Sequence, residues 1–225
     1  MLTEENFIDC TCPHCGATAS FPQSHAGLLQ ACPACMEDII VPDADGSPAR
    51  RLPLPITTSR LILRRPLAGD WKGLMECFQD EDEERATQWL EQEAKNKLTT
   101  PERPFGLAIE QREGGRFIGY VGLRLTAARQ GALNFYLHPE YLQSDLAVEA
   151  LDGLLGFCFE DIRLHRVTAA LDSEDAAGLK LCEDVGLRRE GTFLKDVEKP
   201  EGGWSTSVWF AALEEDYLDD SPDPK

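Results

Sequence analysis

The sequence contains no long apolar run. Nowhere do the roughly 18 to 20 consecutive apolar residues of a membrane-spanning helix occur. The opening "MLTEENFIDC" lacks the basic and apolar segments of a secretory leader. Basic residues are scarce as well: 22 Lys and Arg stand against 40 Asp and Glu, a formal net charge of −18, and no Lys or Arg precedes Arg50. Nucleic-acid and anionic-membrane surfaces are built from Lys and Arg, so this balance argues against both and suits a cationic partner or substrate. Acidic runs such as "QDEDEE" at 79–84 read as solvated faces. The expected compartment is cytoplasmic, where disulfides are rare, so eight cysteines call for another explanation.

Five of the eight fall in the first 35 residues. "CPHC" at 12–15 and "CPAC" at 32–35 are separated by sixteen residues, a spacing that suits a four-cysteine zinc site. Zinc takes four soft ligands in a tetrahedron, and each CxxC turn presents a pair of thiolates, so Cys12, Cys15, Cys32 and Cys35 are the expected ligands of a structural Zn2+. Gly16 follows the first turn and Met36 occupies the matching place after the second. Cys10 is spare, and His14 lies between ligands with its ring expected in solvent. A unit this small, with few large apolar residues, needs such a staple to fold. Its "GLLQACPAC" and "IIVP" stretches resemble the zinc ribbons that precede unrelated domains in many bacterial proteins. Residues 1–42 are therefore read as a structural or protein-contacting ribbon, and the Pro-rich, aperiodic stretch 43–57 as a linker.

From residue 58 onward, strand and helix patterns alternate. "RLILRRP" (60–66) reads as a strand, and "DWKGLMECFQ" (70–79) as a helix with Asp70 as N-cap. A second helix is expected over about 85–97. Residues 105–128 read as a hairpin about a Glu-Gly-Gly turn. A strand runs from a turn near Gln130 and Gly131 to Pro139, "VEALDGLLGFCF" (148–159) is helical, and "HRVTAALD" (165–172) is a strand. "DAAGLKLCEDVG" (175–186) forms a helix closed by Gly186, and "REGTFLKDV" with "WSTSVWFAAL" makes a final strand pair. This order predicts a mixed α/β domain whose ligand sits where neighbouring strands part.

The order, together with "LRRPLAGDW", "IGYVGLR", "YLHPEY", "LHRVTA", "EDVGLRREG" and the closing "VWF" strand, resembles the GNAT acyltransferase superfamily over residues 58–217, with 218–225 left as an acidic tail. The nearest branch acetylates the N-terminal alanine of ribosomal proteins; aminoglycoside acetyltransferases share it. The resemblance implies a mixed sheet with splayed middle strands and flanking helices. It also implies acetyl-CoA as donor, attack by a neutral primary amine of a peptide N-terminus or small cationic molecule, strand N–H groups polarising the thioester carbonyl, and pyrophosphate on the loop before the long helix.

Four departures from that pattern stand out. The family's pyrophosphate loop carries Gln or Arg, then Gly, then Gly or Ala, where this chain has Leu142, Asp145 and Ala147. Asp145 is expected to cap its own helix and take the N–H groups that phosphate would use. Two unit charges about 5 Å apart at an effective dielectric of about 20 repel by roughly 3 kcal/mol. A strand glutamate of the family is replaced by Ala132 or Leu133, an Asn and a Ser by Asp175 and Gly178, and a last-strand Tyr by Phe210. Candidate catalytic groups are thus Asp175, Glu140, His138 and Tyr136. The cofactor would meet Leu137, His138, Gln143, Ser144, Asp145, Leu146, Ala147 and Gly178. His165 and Glu149 read as structural, and Cys77, Cys158 and Cys182 as core residues. The alternative is a GNAT-fold scaffold without catalysis, its ribbon holding a protein partner.

Overall fold

A computed structural model describes residues 6–78, 82–100, 104–200 and 202–220; parts of the acidic run and of the acidic tail lie outside it. The cysteine-rich segment makes two small sheets. β1 (Phe7–Thr11) and β2 (Thr18–Pro22) pair antiparallel around the first CxxC, while β3 (Leu29–Ala31), β4 (Asp38–Ile40) and β5 (Arg50–Arg51) surround the second. The two knuckles fold alike. Gly16 N–H donates to Cys12 O at 3.0 Å and Met36 N–H to Cys32 O at 2.8 Å. Both residues are left-handed, at φ 74° and 59°, which glycine adopts freely and methionine does not.

The stretch read as a linker contains β5 and then β6 (Ile56–Thr57), which pairs with β7 (Leu61–Arg64) at one edge of the main sheet. The chain continues through α1 (Trp71–Phe78), α2 (Glu83–Glu93), β8 (Phe105–Gln111), β9 (Phe117–Ala127), β10 (Gln130–Leu137), α3 (Asp145–Gly156), β11 (Arg166–Asp172), α4 (Ala176–Asp184), β12 (Arg188–Glu198), β13 (Trp204–Leu213) and α5 (Glu214–Asp220). Eight strands form one sheet in the order β12-β13-β11-β10-β9-β8-β7-β6. Only β10 and β11 run parallel; every other neighbouring pair is antiparallel.

Strand alternation sorts the side chains to two faces. Leu61, Leu63, Leu107, Ile109, Val121, Leu123, Leu133 and Val167 pack beneath α3, whose Ala147, Ala150, Leu151, Leu154 and Leu155 are buried. Each such leucine or isoleucine contributes about 2 kcal/mol of burial. On the opposite face Leu74, Ala86 and Leu90 join α1 to α2, with Trp71, Trp89 and Phe117 at the margin. The ribbon docks on this body, since Ile40 belongs to the main core and Leu29 packs against it, as do Leu52 and Leu54 just beyond the ribbon.

Asp70 is not an N-cap. It ends a 3-10 turn ahead of α1, accepts the N–H of Leu67 and pairs with Arg64 through both oxygens at 2.8 Å. A nearby guanidinium outcompetes helix amides for a buried carboxylate. Helix α2 starts earlier than expected, because Asp82 caps it by accepting from Arg85 N at 2.9 Å. It ends at Glu93, where Arg65 takes the carbonyls of Glu93 and Asn96. Gly186 closes α4 as expected, at φ 82°.

Candidate active site

The parallel ladder between β10 and β11 runs from Gln130↔Arg166 to Leu133↔Ala169 and stops. Beyond it Asn134–Leu137 and Ala170–Asp172 continue as strands that remain paired only on their outer sides, to β9 and to β13. The inner edges are therefore unpaired, and a wedge of main-chain donors and acceptors opens in mid-sheet. At the wedge's end, the turn after β10 leads directly into α3.

The expected seal on that helix is absent. Ser144 is the N-cap residue, no side chain caps α3, and Asp145 is already its first helical residue. The Ser144 hydroxyl donates back to Tyr141 O at 2.7 Å. A first-turn aspartate stands beyond the N-cap position from which a carboxylate accepts N2 or N3 amides. Asp145 is exposed and lines a cleft with Arg60, Glu149, Asp152, Asp184 and Tyr217. Among the described residues nothing accepts from the N–H groups of Asp145 and Leu146, so they face outward at the positive end of the helix dipole. Gln143 is exposed beside them, while Leu142 packs on the core and Ala147 is fully buried.

Ala132, Asn134 and Tyr136 alternate onto the α1–α2 face, where aromatic rings gather. Tyr136 packs on Phe78 at 4.6 Å between centroids, Phe78 lies 6.2 Å from Trp89, and Trp89 lies 4.8 Å from buried Tyr120. A cavity of about 330 Å³ lined by Leu74, Met75, Phe78, Arg85, Ala86 and Trp89 adjoins them. Across the wedge, Trp209 lies opposite Ala170 and packs on Phe193 at 5.7 Å. Two glycines make room for side chains on this face: a Cβ on Gly106 would meet the Tyr120 hydroxyl at 2.1 Å, and one on Gly122 would meet Asn134 Oδ1 at 2.3 Å. The Asn134 amide has no hydrogen-bond partner among the described residues. It was missed in the sequence because an isolated strand Asn carries no motif.

At the mouth, His138 Nδ1 accepts the Glu140 N–H at 3.2 Å, which leaves the neutral ring's proton on Nε2, 3.7 Å from Glu76 Oε2. Glu140 is exposed, 3.1 Å from Arg116 and 3.8 Å from His138 Nδ1. Glu76 was missed for want of any pattern tying α1 to this strand end.

The acetyltransferase (GNAT) domain family matches residues 60–188. The chain belongs to the GNAT acetyltransferase family. Among its relatives, an uncharacterized N-acetyltransferase of Bacillus subtilis (strain 168), YnaD, is 27% identical over 174 residues, which is 72% of this chain and 98% of that protein. Among solved structures, a ribosomal-protein-serine acetyltransferase described as putative, from Vibrio cholerae, superposes with a TM-score of 0.62 at 21% identity, covering 72% of this chain and 98% of the other. A chimeric spermidine N-acetyltransferase from Vibrio cholerae and hSSAT gives 0.60 at 17%, covering 72% and 99%. These two likenesses concern the fold.

Against the GNAT pattern, the replaced positions fall as follows. Asp175 caps α4, its Oδ1 accepting from Gly178 N at 2.9 Å, and the space above Gly178 is filled by Asp175 and Leu171. Phe210 is buried on the α3 face, away from the aromatic groove, so a proton donor at that position would not reach a ligand in the wedge. Leu137 is also buried on that face, and His165 is exposed at the start of β11, its N–H bonded to Arg129 O. Glu149 accepts from Thr58 Oγ1, from Arg60 N and from Arg60 Nε, fastening α3 to the start of β7. Burial raises its carboxyl's proton affinity, but the hydrogen bonds from Thr58 and Arg60 outweigh this and hold it below the usual range. Cys158 and Cys182 are fully buried and Cys77 partly so; burial pushes the thiols of Cys77 and Cys182 up to about 12.

In the ribbon, the four sulfurs of Cys12, Cys15, Cys32 and Cys35 lie within 4.8 Å of one another. Cys12 Sγ is 3.8 Å from Cys35 Sγ, and Cys15 Sγ is 3.9 Å from Cys32 Sγ. A tetrahedron with Zn–S bonds of about 2.3 Å has edges of about 3.8 Å, so the donor set suits a tetrahedral metal. His14 is exposed, yet its Nε2 lies 3.2 Å from Asp38 O and bridges the two knuckles. Among the described residues no helix is long and apolar enough to cross a membrane.

Proposed function

We propose that this acetyltransferase moves an acetyl group from acetyl-CoA to a primary amine on a peptide N-terminus or a small cationic molecule, and that its four cysteines hold a structural Zn2+. The observation that carries the first part is the wedge between β10 and β11 ending at the uncapped start of α3. Unpaired strand amides suit a thioester carbonyl, and outward helix amides suit a pyrophosphate. The amine nitrogen attacks the carbonyl carbon, a C–N bond forms, the C–S bond breaks and the thiolate takes up a proton. Tyr136 is assigned as the donor of that proton, because it is exposed on the face where its ring meets Phe78 and its hydroxyl has no hydrogen-bond partner among the described residues. Glu76, His138 and Glu140 are assigned as the route by which the acceptor's ammonium proton leaves, each within 4 Å of the next.

The substrate class follows from charge and aromatics. A formal charge of −18 attracts cations, and the exposed faces of Phe78, Tyr136 and Trp209 offer cation–π contacts of about 0.5 to 1 kcal/mol each. Two structural neighbours are named for acceptors of comparable kinds, a ribosomal-protein serine and spermidine. The test is thiol release from acetyl-CoA with peptides beginning in Ala or Ser and with spermidine. Turnover on one of them, with Tyr136→Phe lowering kcat, supports the reading. No release, and no thermal stabilisation at millimolar acetyl-CoA, where saturation a hundredfold above Kd adds about 2.7 kcal/mol, overturns it in favour of a binding module.

A further inference from the structure

The ribbon is fastened to the body by three consecutive residues on each side. Following the last cysteine of the tetrad, Met36 O and Glu37 Oε1 accept from Lys97 Nζ at 2.9 and 2.8 Å. Asp38, almost fully buried, accepts the N–H of Leu98 at 2.7 Å, the N–H of Thr99 at 3.2 Å and the Thr99 hydroxyl at 2.5 Å. The segment it grips is the exit of α2. One residue back, Asn96 Nδ2 donates to Glu93 Oε1 at 2.9 Å and to Pro104 O at 3.0 Å. The other oxygen of Glu93 accepts the Tyr120 hydroxyl at 2.7 Å, and Tyr120 packs edge-on against Trp89. Glu93 is buried on the same helix as Trp89, so the carboxylate pins that helix to β9.

We propose that Asp38 is a positioning residue for the aromatic wall of the acceptor groove: the ribbon sets the exit of α2, and through Asn96, Glu93 and Tyr120 sets the place of Trp89. Three donors converge on one buried carboxylate, so loss of the acceptor leaves the Leu98 and Thr99 groups unpaired in a buried place and loosens the helix exit there. The helix exit is thereby built from two distant parts of the chain, and ribbon and acetyltransferase body act as one unit. This rests on the reading of the groove as the acceptor site.

The test is 19F NMR of the full-length protein labelled with 5-fluorotryptophan, with Trp89 assigned by Trp89→Phe. Two variants are compared with the parent: Asp38→Asn, which keeps the shape but cannot take three donors, and Thr99→Val, which leaves the ribbon untouched. Metal content is measured alongside. The expected result is that both retain the parent's metal, that the Trp89 resonance shifts or broadens, more in Asp38→Asn, and that those of Trp204 and Trp209, on β13 across the wedge from α2, stay in place. With the best amine found, KM should rise about threefold to tenfold while kcat stays within twofold. An unchanged Trp89 resonance in both variants overturns the proposal. A moved resonance with unchanged KM upholds the hold of Asp38 on Trp89 but overturns the acceptor assignment of the groove.

Discussion

Replacing Asp145 with Asn should strengthen binding of acetyl-CoA and slightly weaken the fold. At an effective dielectric of about 20 and a separation of about 5 Å, its repulsion of one phosphate charge would be roughly 3 kcal/mol. The structure lowers that figure. Asp145 is exposed and caps nothing, so the field passes largely through water, and a dielectric of about 70 gives about 1 kcal/mol, close to a fivefold change in Kd. Because the charges face solvent, the advantage of the variant should fade as salt rises toward 1 M, where the screening length is about 3 Å. The same carboxylate sits in the first turn of α3 and favours the helix dipole, worth about 0.5 kcal/mol, so the variant should melt about 1 to 2 °C lower. Calorimetric titration at low and high salt, paired with thermal melting, separates the two effects. Equal Kd values at low salt would refute the placement of the pyrophosphate at the start of α3.

Other substitutions probe the remaining parts. Met36→Gly relieves a left-handed methionine and should stabilise the ribbon by up to about 1 kcal/mol, read as slower metal loss to a chelator; faster loss would mean the exposed side chain contributes packing. Glu149→Gln weakens the bond between α3 and β7 and should cost about 1 to 2 kcal/mol at neutral pH. The folded-state carboxyl is held below its ordinary range by its hydrogen bonds, so its contribution is complete above the unfolded value and is lost as pH falls through the folded one; the gap between parent and variant should close in acid. Tyr136→Phe should lower kcat about tenfold to a hundredfold with melting unchanged, because the hydroxyl makes no hydrogen bond among the described residues; an unchanged kcat removes its assignment as acid.

Much of the architecture is visible in the residues because local signals agree there. The paired CxxC turns, the Gly114 and Gly115 hairpin tip and the left-handed Gly186 each have one physical solution, and the structure adopts it. Misjudged positions are those where a distant partner decides. Asp70 has the right place for an N-cap but Arg64 claims it, and Asp145 has the right type for a cap but stands one residue too late. The helix expected through Phe159 changes at Phe157 into a single π turn ending at Asp161, which no composition announces. The groove was the least legible part, since Asn134, Glu76 and Trp89 come from three elements whose proximity is fixed only by the sheet order.

The most direct measurement is an amide NMR titration of the isotopically labelled protein with acetyl-CoA. Saturable shifts at Asp145 and Leu146, accompanied by shifts along Asn134 to Leu137 at the same ligand concentration, are what the account predicts. Binding that moves neither group, or no saturable binding at millimolar acetyl-CoA, would contradict it.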